Sequence, residues 1–150
     1  MLVRTMGAVS AVLMLMGCSA FGSNESERYR DKLALSGFRE VGAYFDTSAT
    51  AYFVGPADAD ITAVASGPQL VVKKDGQPMK NGVQQTVALG TGYSTDTGNC
   101  DLLFWSIDAS SAVSVLQDWG KLTSTEKAGL DGGTLIGIEV DVICNAQADK

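Results

Sequence analysis

The chain has no histidine among its 150 residues. That absence removes three chemistries together: a Ser-His-Asp triad, a Cys-His nucleophile pair and every His-ligated metal site. Cysteine is scarce, with three in total and no Cys-x-x-Cys spacing, so the usual zinc-ribbon and thioredoxin-type patterns are missing. Positive charge is thin: 11 Lys and Arg stand against 17 Asp and Glu. Beyond Lys73-Lys74 there is no basic cluster, which disfavours nucleic acid and anionic lipid headgroups as surface partners. The acidic residues are dispersed along the chain rather than gathered in a tail, and no internal repeat is visible.

What is there begins with an export pattern. Residues 1–5 carry one charge, Arg4, and residues 6–16 form an uncharged run in which Ser10 is the only polar side chain. A charged start, an apolar run of about 7–15 residues and a small residue before the cut make a secretory signal. The run is too short to cross a bilayer, which takes roughly 20 apolar residues. Leu15-Met16-Gly17-Cys18 follows it. These four residues resemble the lipobox of bacterial lipoproteins, although Met16 is bulkier than the small residue usual at its place. The resemblance covers residues 1–18. It implies removal of residues 1–17, attachment of diacylglycerol to the Cys18 thiol, and a membrane-lipid partner through that acylated cysteine. Ser19 after the cysteine implies, in a Gram-negative cell, transport to the outer membrane facing the periplasm. Residues 18–24 then read as the lipidated terminus and tether, and residues 25–150 as one globular domain. Losing Arg4 takes the net charge from −6 to −7.

An exported chain folds in oxidising surroundings, where an even number of cysteines reads as disulfides. After Cys18 only Cys100 and Cys144 remain, so one pairing is expected. It closes a loop of about 45 residues, worth about 4 kcal/mol on the chain-entropy estimate. Periodicity agrees. Ile136, Ile138, Val140, Val142 and Cys144 share one parity, and Glu139 and Asp141 take the other, which is the alternation of a half-buried strand.

The remaining elements are read from caps, turns and apolar runs. Asn24 with Glu27 resembles a capping box, and predicts a helix over 24–36 that Gly37 ends, with Tyr29 and Leu33 on one face. Strands are expected over 41–45, 51–54, 61–65, 70–74, 83–89, 102–107 and 134–144, and a small-residue loop over 90–99. Helices are expected over 110–119 and 123–130, the second opened by Thr123 and Glu126 as a capping box. The sum is a single α+β domain with an antiparallel sheet of about five to seven strands and two or three short helices. In Tyr44-Phe45, Tyr52-Phe53 and Phe104-Trp105, one ring of each pair should enter the core and its partner should face another layer or a binding groove, because neighbours on a strand point to opposite faces.

Few residues suggest chemistry. Asp96-Thr97-Gly98 matches the short motif of aspartic proteases, but Ser94 and Thr95 stand where apolar strand residues usually precede it, and a polar turn is the better reading. Asp96, Asn99 and Asp101 offer oxygens for a cation, with Asp58 and Asp60 as a second weak set; calcium wants six to eight such oxygens, and carboxylates in turns are the plainer account. Gly90-x-Gly92 lacks the lysine of a phosphate loop. No cofactor is expected. Two functions follow: a non-catalytic binding or structural lipoprotein of the envelope, acting on another envelope protein or a basic enzyme such as a lysozyme, or a histidine-free hydrolase using Asp96 and Asp101.

Overall fold

The computed structural model describes residues 24–145. The signal segment, Cys18 and all of the tether before Asn24 lie outside those residues. In chain order the elements are α1 (Glu25–Arg30), β1 (Ala34–Leu35), β2 (Arg39–Phe45), β3 (Ala49–Pro56), α2 (Ile61–Val64), β4 (Ala65–Ser66), β5 (Val71–Lys74), β6 (Lys80–Asn81), β7 (Gln84–Ser94), β8 (Gly98–Ile107), α3 (Ala109–Gln117), α4 (Ser124–Asp131) and β9 (Leu135–Asn145). Seven strands make one sheet, ordered β2-β3-β9-β8-β7-β5 with β6 beside β7, and β1 pairs with β4 apart from it. Every pairing is antiparallel. The domain is α+β, with more short elements than the sequence suggests.

The sheet packs against other elements on both faces, and neighbouring residues divide between them. Phe53, Phe104, Leu102, Ile138, Val140 and Val142 point to the first face. There they pack under Tyr29, Leu33, Leu35 and Ile61, contributed by α1, α2 and the β1 segment. Tyr52, Val54 and Ile107 point to the second face and meet Ala112 and Leu116 of α3 and Leu130 of α4. The Cys100–Cys144 disulfide joins β8 to β9 at directly opposed positions, on the first face, where Cys100 is buried in the core cluster.

Local chemistry explains most elements and corrects several expectations. The α4 capping box is complete: Glu126 N donates to Thr123 Oγ1, and Thr123 N donates to the Glu126 carboxylate. The first helix is shorter than predicted. Asn24 does cap it, accepting from Ser26 N at 2.9 Å, but the helix stops at Arg30. Ala34 and Leu35 instead pair with Ser66 and Ala65, and Leu35 is buried. Residues 61–64 form a helical turn, not a strand, because Asp60 caps it through Thr62 N. Four residues of the composition Ile-Thr-Ala-Val are too few to distinguish the two periodicities.

The expected loop over 90–99 is two strand ends. β7 runs on through Ser94, a turn occupies 95–97, and β8 starts at Gly98, whose φ of 70° suits a residue without a Cβ. Gly92 belongs in a strand for a packing reason: a Cβ there would collide with the Tyr29 hydroxyl, which donates to the Pro68 carbonyl at 2.8 Å. The aromatic expectation holds on β3 and β8, where Phe53 and Phe104 enter the first face and Tyr52 and Trp105 are buried on the other, and fails on the outermost strand, where Tyr44 and Phe45 are both exposed.

Candidate functional site

The second face is only partly covered. α3 and α4 lie over the end marked by Val54, Ile107 and Leu135, and Leu116 closes against Gly137. Towards the opposite end of the strands exposure increases, and three cross-strand rows can be followed by register. Tyr52, Glu139 and Trp105 form the first. Tyr44, Thr50, Asp141, Leu103, Leu89 and Lys73 form the second. Ile143, Asp101, Thr91 and Val71 form the third. Large apolar side chains are open here: Leu89 is 41% exposed, Ile143 44% and Val71 56%.

Two carboxylates stand in the middle of this face, two residues apart on β9. Asp141 accepts from Thr50 Oγ1 at 2.7 Å and from Trp105 Nε1 at 3.0 Å. Glu139 accepts from Gln84 Nε2 and from the Tyr52 hydroxyl. Burial pushes the Glu139 carboxyl above its ordinary pKa, and the charge of Asp141 adds to that, against the Gln84 and Tyr52 bonds. Burial likewise raises Tyr52, so its hydroxyl stays a donor. All four donors are neutral. The described ion pairs join Arg28 to Glu25, Arg30 to Asp31, Lys32 to Asp96 and Arg39 to Glu126; none involves Glu139 or Asp141. At the rim, Trp119 stacks on Tyr52 with centroids 5.0 Å apart and planes 10° apart, and Tyr44 tilts against it at 5.0 Å. The result is a shallow surface of rings, aliphatic side chains and two carboxylates that lack a cation among the described residues.

The residues singled out in the sequence lie elsewhere or apart. Asp96 sits in the 95–97 turn, where it accepts from Lys32 Nζ at 2.8 Å and from Ser94 Oγ at 2.6 Å. Lys32, followed by Ser94, holds its carboxyl down at about 2. This pairing draws Asp96 towards the α1 side. Asp101 follows Cys100 on β8, so it points to the second face. The pair proposed for hydrolysis is thus turned apart. Asn99 shares the parity of Asp101 and lies opposite Tyr93 and Asn145. Asp60 is the α2 cap, accepting from both Thr62 N and Thr62 Oγ1, and Asp58 is in the loop before it. Among the described residues, no three His, Cys, Asp or Glu side chains are grouped to hold a metal ion.

The alternation from Ile136 to Cys144 places Glu139 and Asp141 on the face away from Cys144. Two other signals pointed further. Tyr52-Phe53 and Phe104-Trp105 put large apolar groups on both parities of the two strands that flank β9, and a strand with one wet face has no use for that. No protein-family model matches the chain, and no curated protein or solved structure matches it.

Proposed function

We propose that the protein is a lipid-anchored component of a bacterial envelope whose folded domain is a non-catalytic binding module for a basic protein surface. Two separate supports underlie the reading. The anchor rests on Arg4, the uncharged run over 6–16 and Leu15-Met16-Gly17-Cys18, with acyl chains on Cys18 supplying membrane affinity. Among the described residues, no helix is long and apolar enough to cross a membrane.

The binding role is carried by one observation: on the second face beyond α3 and α4, open apolar side chains lie alongside the half-buried Glu139 and Asp141. Exposed apolar patches rimmed by polar groups mark interaction sites. A partner bringing Arg or Lys would meet half-buried carboxylates already oriented by neutral donors, and rings suited to cation–π contact. The anchoring half is tested by radiolabelled palmitate and mass spectrometry. The expected product carries label, lacks residues 1–17 and leaves the membrane fraction when Cys18→Ser is introduced. A protein that retains Met1 and takes no label would overturn it.

A further inference from the structure

The first face is not sealed along its whole length. Between α2 and the strands, Ala57, Ala59 and Ala88 are too small to fill the space, and a cleft of about 320 Å³ opens there. Its walls are Ile61 of α2, Val87 of β7, and Ile136 and Ile138 of β9. Ile138 and Ala88 are fully buried core residues, so the floor is firm. Cavities that take small molecules run about 300–1,000 Å³, mostly apolar, with a few placed polar groups.

The charged groups at the rim, Asp60 and Lys74, are not equivalent. Asp60 is committed to capping α2, accepting from Thr62 N at 3.0 Å and from Thr62 Oγ1 at 2.7 Å. Lys74 lies opposite Ala88 in the β5–β7 ladder. It therefore stands on the first face, and its stem forms a wall of the cleft. Its ammonium makes no hydrogen bond or ion pair among the described residues; Asp60 feels its charge without bonding to it.

We infer that this cleft binds a small amphiphilic anion, its apolar body, an aromatic ring or short acyl chain, against Ile136 and Ile138 and its carboxylate at Lys74. This site is on the opposite side of the sheet from the surface proposed to bind protein, and it stands whether or not Cys18 is acylated.

Fluorine NMR of the purified full-length protein tests it with three probes of one shape: 4-fluorobenzoate, 4-fluorobenzyl alcohol and 4-fluorobenzylamine. Saturable binding of the benzoate, weaker binding of the alcohol and none of the amine is expected. Lys74→Met, at an exposed position, should weaken benzoate at least tenfold and abolish its advantage over the alcohol. Ala59→Trp should plug the cleft and remove binding of both. No saturable benzoate binding, equal or tighter binding of the amine, or benzoate binding unchanged in either variant would overturn the inference.

Discussion

The two faces of the one sheet are built on different terms. The first is closed at its centre by aliphatic and aromatic packing over the disulfide, and its central side chains, Phe104, Leu102, Val140 and Val142, are at most 1% exposed. The second has the same strands beneath it, yet α3 and α4 protect only one end. Its middle carries Glu139 and Asp141, and its far end leaves Leu89, Ile143 and Val71 in contact with solvent. The bulk of the packing and the surface proposed to bind protein thereby fall on opposite sides. A closed face tolerates no loss of volume, whereas an open one can exchange side chains at little cost to folding.

Substitutions should separate the two faces in proportion. The largest effect belongs to the first: Phe104→Ala should cost up to about 5 kcal/mol in denaturant unfolding, while Leu89→Ala on the open face should stay within about 0.5 kcal/mol. Comparable losses at both would erase the distinction. Next comes the Cys100–Cys144 bridge. Replacing both cysteines by serine should cost about 4 kcal/mol at most on chain-entropy grounds, and equal midpoints with and without reductant in the parent protein would contradict this.

A smaller contrast lies in the pH dependence of two glutamates. Glu126 is held at about 2 instead of 4.5, chiefly by Arg39, with contacts of 2.6 and 2.7 Å. A lowered folded pKa gives stability that is present above pH 4.5 and lost as pH falls towards 2. Glu139 has the opposite sign: its folded pKa is raised, so its contribution is present below 4.5 and lost as pH rises through the folded value. Denaturant midpoints across pH should therefore show Glu126→Gln losing ground against the parent as pH rises from about 2 to 4.5, and staying behind above that. Glu139→Gln should gain on the parent as pH rises. Parallel profiles for the two variants would mean that Glu139 is not desolvated.

Much of the closed face was legible in the chain, and little of the open one. The alternation from Ile136 to Cys144, the lone cysteine pair and the Thr123–Glu126 box each carry a local signal strong enough to survive folding. The 61–64 turn did not, because its apolar residues fit a strand as well as a helix and the deciding feature is a single cap, Asp60. Residues 90–94 look like a loop because Gly90 and Gly92 are chosen for neighbours far away in sequence, Tyr29 among them. Glu139 and Asp141 were visible as outward residues. That Tyr52, Thr50, Gln84 and Trp105 would gather around them depends on the order β3-β9-β8-β7, which no single segment encodes. Only the α3–α4 pair, arriving late in the chain, decides how far the second face is covered.

The difference between the faces is tested most directly by site-specific photo-crosslinking in the cells that make the protein. A crosslinking side chain at Leu89, on the open face, is compared with one at Asp31, exposed beside the end of α1. The account predicts a discrete adduct from Leu89 to a partner segment rich in Lys and Arg, and none from Asp31. No adduct from Leu89, or the same adducts from both positions, would contradict it.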